Sequence, residues 1–175
     1  KKMLAILLTC LVIGSATGCS LPQPLNKTLD IEDAMGVWYI QYMRPNIPLE
    51  STILQCWRNV INKTDDGYQM TSSVYVNFIG IRFNLPITNG LEIKPGTGNQ
   101  LISSVFGISS ESTVVALLPD KYVIIGACIF GIPFYSIASR DVSPDTAEIS
   151  DLVQSVGLQI SDLTKNCDDP NHFNG

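Results

Sequence analysis

Between residues 36 and 139 the sequence keeps switching between short runs that alternate apolar with polar residues and small clusters that break such runs. The runs fall at 36–43, 54–62, 67–79, 81–87, 101–108, 113–118, 122–129 and 134–139. Asp65-Asp66-Gly67, Asn89-Gly90, Lys94-Pro95-Gly96, Pro119-Asp120 and Gly131-Ile132-Pro133 separate them. Turn residues of these types reverse the chain in a few positions. Eight strands in sequence with short connections predict an all-β fold: an antiparallel, up-and-down, eight-stranded barrel. Side chains of a strand alternate between its two faces. Tyr68, Met70, Val74, Val76 and Phe78 therefore share a face, against Gln69, Thr71, Ser73 and Asn77. The next run sets Ile81, Phe83, Leu85 and Ile87 against Arg82, Asn84 and Pro86. Eight strands enclose room for side chains or for one small ligand. Small residues expected inside, Ser72, Gly126, Ser136 and Ala138, point to a cavity.

The first run opens with Gly36-Val37-Trp38 after an acidic turn of helix at 29–34. Glycine lets the backbone pass close to a large ring, and Trp38 can floor a barrel. Ile40 and Tyr42 share the face of Trp38 by alternation. Residues 44–50 contain two prolines and read as a loop at the barrel mouth. After the strands, Ser143-Pro144-Asp145 is a helix start: a Ser cap, Pro in first position, an acid in the first turn. Ile149, Leu152, Val153 and Val156 follow at helical spacing, and Gly157 is the stop. One C-terminal α-helix packed on the barrel wall is expected. The tail beyond it runs through Leu158-Gln159-Ile160 to Cys167, which can tie it back, and the stretch with the single histidine, His172, reads as disordered.

Lys1-Lys2, the apolar run 4–13 and the small residues Gly14, Ser15, Ala16 and Gly18 have the layout of a signal peptide. We expect a signal at 1–18, a barrel domain at 19–175 and a secreted, extracellular protein. The apolar run is too short to span a bilayer. Ala-Thr-Gly-Cys also resembles a lipoprotein signal, in which Cys19 carries lipid. Past the signal stand Cys19, Cys56, Cys128 and Cys167. Four cysteines in an exported chain read as two disulfides, with three pairings open; their spacing fits no metal motif. Asn26 and Asn62 head glycosylation sequons. Charged residues are 15% of the 175, and the net charge is −5, so a basic nucleic-acid footprint is absent.

Together the signal, Gly-x-Trp on the first strand, eight strands, a C-terminal helix and Ser139-Arg140 ending the last strand resemble the lipocalins. The resemblance covers nearly the whole mature chain and looks closest to the apolipoprotein D and insect bilin-binding branch. It implies that Arg140 packs over Trp38 at the closed end as a cation–π pair, with Gly36 beside them. It also implies disulfides Cys19–Cys128 and Cys56–Cys167. One motif departs: the family's Thr-Asp-Tyr before the seventh strand is replaced by Leu117-Leu118-Pro119, with Asp120 and Tyr122 close by.

The function expected is that of a carrier for one small hydrophobic ligand: a lipid, retinoid, sterol, pheromone or bilin. Ile40, Tyr42, Met70, Val76, Phe78, Phe83 and Leu85 are its candidate contacts. Arg58 and Arg82 are the strand cations that a ligand carboxylate would meet, with Arg82 on the polar face. The alternative is a secreted scavenger or inhibitor acting through loops or amine capture. An enzyme is not expected: the cysteines are committed, and no Ser-His-Asp set is available on the strands. Neither a metal nor a cofactor is expected, and the chain should be a monomer or weak oligomer.

Overall fold

The computed structural model describes residue 19 and residues 23–26, 28–44, 54–105, 108–129 and 131–174. The expected signal, residues 1–18, and most of the expected mouth loop lie outside these. The strands are β1 (Gly36–Arg44), β2 (Leu54–Thr64), β3 (Gly67–Phe78), β4 (Ile81–Ile93), β5 (Gln100–Val105), β6 (Ile108–Leu118), β7 (Tyr122–Ile129), β8 (Ile132–Ser139) and the two-residue β9 (Thr164–Lys165). Each of the first seven pairs antiparallel with the next, β1 pairs with both β2 and β8, which closes the barrel, and β9 pairs with β1. Alternation then builds two cores. Trp38, Ile40, Ile61, Leu91, Leu101, Val114, Val123 and Ala138 fill the interior. On the outside, Tyr122, Ile124, Tyr135 and Ile137 meet Ile149 and Val153 of α1 (Thr146–Ser155).

Several boundaries differ from the sequence reading. Asn89-Gly90 lies inside β4, because Gly90 pairs with Gln69 on one side and Ser104 on the other. Polar residues 109–112, read as a break, belong to β6: serine pairs Ser103–Ser110 and Ser104–Ser109 bond at 2.8 Å across the β5–β6 ladder. Helix α1 starts at Thr146, capped by Asp145, whose Oδ1 accepts the Ala147 N–H at 2.7 Å; Ser143 is not the cap. The acidic turn is a 3₁₀ turn over Ile31–Ala34. Gly126 pairs with Tyr135 on the outer face, so it is not an interior residue.

Cys167 ties the tail back as expected, and the His172 stretch, read as disordered, is packed as well. Asn166 wedges between β1 and β2 beyond their last shared pair. Its N–H donates to the Gln41 carbonyl at 2.8 Å, its carbonyl accepts the Cys56 N–H at 3.0 Å, and its Oδ1 accepts the Trp57 N–H at 2.9 Å. Phe173 is buried edge-on against Tyr39, and His172 stacks on Tyr75 at 4.1 Å. Two disulfides tie the ends of the chain to the barrel, Cys19–Cys128 and Cys56–Cys167. These are the pairings that the resemblance implied. Among the described residues no helix is long and apolar enough to cross a membrane.

Candidate functional site

The closed end sets the floor of the barrel. Trp38 is 2% exposed, and its indole N–H donates to the Ala34 carbonyl at 2.7 Å. The Arg140 guanidinium lies 3.6 Å from the Trp38 ring centroid. It donates to the carbonyls of Pro119 (2.9 Å), Val37 (3.1 Å) and Asp33 (3.2 Å). Gly36 makes room for this cation: it has φ +92, and a Cβ there would stand 3.1 Å from Arg140 Nη1. The close approach that requires glycine is therefore to arginine, not to the indole. Burial pulls the Arg140 pKa below the ordinary arginine value, yet guanidinium keeps its charge at any working pH.

Beside the floor, outside the barrel, Lys121 Nζ pairs with Glu148 Oε1 at 2.9 Å, and the Tyr122 hydroxyl donates to Glu148 Oε2 at 2.9 Å. These bonds, that of Lys121 first, hold the Glu148 carboxyl below its usual range. Burial, then the bond to Glu148, pushes the Tyr122 hydroxyl up to about 12. A phenol with a raised pKa holds its proton more tightly in the folded state. Its stabilisation is complete below the unfolded value of about 10 and is lost as pH rises through the folded value. Tyr122→Phe should therefore be less stable than the parent at pH 8 and should lose less stability between pH 9 and pH 12. Urea unfolding at both ends of that window checks it; parallel losses in the two proteins would contradict it.

Above the floor the interior encloses a cavity of about 30 Å³. Ile40, Asn59, Ile61, Met70, Ile125, Ser136 and Ala138 line it together with Trp38, and no lining side chain is charged. Two grooves of about 560 Å³ are much larger. One runs under the start of α1 past Arg140, Lys121, Tyr122 and Glu148; the other runs along β3, β4 and β5 near Asp66 and Glu92. Both lie open to water, and a shallow wet groove gives an apolar molecule little desolvation. The enclosed cavity is the better site despite its size.

Of the seven candidate contacts, Ile40 and Met70 line this cavity. Val76 is buried on the same face of β3, opposite Leu54 and Phe83. Phe78, Phe83 and Leu85 lie on the barrel-facing side but outside the cavity, 48%, 47% and 40% exposed. The β3–β4 ribbon overhangs the barrel: β4 pairs with β5 only over Gly90–Ile93, so its outer half meets β3 alone among the described strands. Tyr42 is the clearest correction. A bulge between Ile40 and Tyr42 adds one residue opposite β8, which turns the following side chains over. Tyr42 therefore packs with the outer core under α1, and Met43 takes the interior face. The bulge residue Gln41 is buried, and its Nε2 donates to Ser139 Oγ at 2.9 Å and to the Asp141 carbonyl at 3.2 Å. Arg58 faces outward, opposite Tyr39 and Ser73. Trp57 and Asn59, which the sequence reading passed over, face inward; their spacing to Ile61 was the available signal.

No family model matches the sequence, and no curated protein matches it. Solved structures do. The chain is similar to the major allergen Per a 4 from cockroaches, at 22% identity over 86% of this chain and 95% of that one, with TM-score 0.71. The fold is that of the lipocalins. Insecticyanin from the tobacco hornworm Manduca sexta shares this lipocalin fold at 17% identity, covering 86% of each chain, with TM-score 0.68. The amine binding protein of Rhodnius prolixus, solved as a tryptamine complex, matches at 16% identity over 90% of this chain and 93% of that one, with TM-score 0.63. Among the described residues no group of His, Cys, Asp and Glu is placed to hold a metal.

Proposed function

We propose that the protein is a secreted carrier of one small, neutral, hydrophobic ligand held in the barrel. The observation that carries this reading is the uncharged, mostly apolar lining of the enclosed cavity. Transfer of apolar area from water supplies about 25 cal/mol per Å². A 30 Å³ cavity holds about one water molecule, so binding displaces side chains. Met70 is suited to this, because an unbranched thioether repacks at low cost. Two disulfides support an oxidising, extracellular setting, and their pairing supports the apolipoprotein D and bilin-binding branch. Asn26 and Asn62 are exposed, as glycan acceptors must be. Residues 1–18 serve as the signal in this reading.

Amine capture, suggested by the Rhodnius neighbour, is disfavoured. An ammonium in this cavity would find no carboxylate in the described lining, and a buried unpaired charge is costly. The test is binding of an apolar fluorescent probe, which should saturate at one site with a negative heat-capacity change. Met70→Trp fills the cavity without adding charge. It should weaken the probe by about tenfold or more, on the order of the 1.4 kcal/mol that separates decades of affinity, while the β-rich circular dichroism stays unchanged. Unaltered affinity in folded Met70→Trp would place the ligand elsewhere.

A further inference from the structure

Two neighbouring polar atoms of β2 inside the barrel are left without a partner by the fold. Trp57 and Asn59 stand two positions apart on β2, so their side chains share a face. That face is the interior one: Trp57 packs against the inner core, and Asn59 lines the cavity. Trp57 Nε1 and Asn59 Oδ1 are both shielded from solvent, and neither has a hydrogen-bond partner among the described residues. One is a donor and the other an acceptor. Their backbones lie about 6–7 Å apart along the strand, so side chains that lean toward each other bring the two atoms within reach of one bridging oxygen, which spans about 5 Å with a bond to each side. Buried polar groups in folded proteins are nearly always paired, so an unpaired donor beside an unpaired acceptor marks a place where something with both capacities sits.

Resting on the carrier reading, we infer that the ligand is a neutral molecule with a hydroxyl group, which donates to Asn59 Oδ1 and accepts from Trp57 Nε1. The chemistry of the alternatives is worse. A carboxylate would accept from Trp57 but would face the Asn59 oxygen with no proton to give, and it would bury a charge. An ammonium would donate to Asn59 but leave the indole N–H unanswered. An ether or hydrocarbon leaves Asn59 unpaired. The hydroxyl end therefore sits beside β2 with Met70 on its closed-end side, and the apolar body extends along β3 past Val76 toward the mouth. Asn89 Oδ1 is a second unpartnered acceptor facing the same interior, since Asn89 pairs with Met70. β3 lies between it and Asn59, and Asn89 is offset two positions along β4, about 12 Å in all, so a ligand with a second donor there would gain a further bond.

The experiment is displacement of N-phenyl-1-naphthylamine from the oxidised full chain by four probes of like length: 1-decanol, 1-methoxynonane, decanoate and decylamine. Decanol should displace the dye at about one tenth of the ether concentration, the factor that one additional hydrogen bond supplies, and should outcompete both ionic probes at pH 7.4. Asn59→Leu should bring decanol to the ether value and leave the ether unchanged. Trp57→Phe keeps an aromatic ring, removes the donor and should weaken decanol as well; it serves if Asn59→Leu does not fold. Equal displacement by alcohol and ether in the parent protein would mean that water serves the pair, and would overturn the inference while leaving the carrier reading intact. A preference for decanoate or decylamine, or an alcohol preference that survives Asn59→Leu, would also overturn it. Failure of the dye and all four probes to bind would sink the carrier reading itself.

Discussion

Replacing Trp38 with alanine should lower the unfolding free energy by about 3–5 kcal/mol, the usual loss for truncating a large core aromatic. The loss has three sources. The ring is 2% exposed and roofed by Ile40 and its interior neighbours, so its removal leaves a void. The Ala34 carbonyl loses the indole N–H. Arg140 keeps its three carbonyl acceptors but loses the π face 3.6 Å away. Arg140→Ala should cost less, and the pair should couple in a double-mutant cycle. The shift in urea midpoint at constant slope measures each value. Strictly additive losses would mean that the stacked geometry contributes nothing of its own.

Removing the Cys56–Cys167 bridge, by serine at both positions, should cost about 2–5 kcal/mol. The bridge closes a loop of 111 residues in sequence separation. It also fixes the tail wedge: Asn166, next to Cys167, bonds to β1 and to β2 around Cys56. Cys56 itself has φ +52, a left-handed conformation that a non-glycine residue adopts only where its surroundings hold it. Without the bridge the tail should open first. Hydrogen exchange should then speed up at Asn166 and Trp57 more than at Ile124, in the middle of β7. Uniform acceleration would mean that the tail does not open as a unit.

Much of the barrel was legible because period-two alternation is imposed by the pleat itself. Turn residues marked most hairpins, and Gly36, Trp38 and Arg140 could be matched as a set. What was hidden has local causes. Asn89-Gly90 has turn chemistry, but both residues are paired in the ladder, and pairing outweighs preference. The Tyr42 flip depends on one bulge held by Gln41 side-chain bonds to Ser139 and Asp141; nothing within 36–43 announces it. The exposure of Phe78, Phe83 and Leu85 depends on how far the β3–β4 ribbon outruns its neighbours, a matter of strand length and stagger that face assignment does not contain. Trp57 and Asn59 were readable from their spacing to Ile61. The bulge between Gln55 and Arg58 made that face look mixed.

The two disulfides interleave along the chain: each bridge has one end inside the span of the other. A protease cut between Cys19 and Cys56 leaves Cys56–Cys167 on one fragment and Cys19–Cys128 joining the two. A cut between Cys56 and Cys128 is spanned by both bridges, and one between Cys128 and Cys167 is spanned by Cys56–Cys167. Any single nick from residue 19 to residue 167 therefore yields no free fragment until the thiols are reduced. A chain clipped between two strands would keep its mass on a non-reducing gel, its pieces held together after the backbone has been broken.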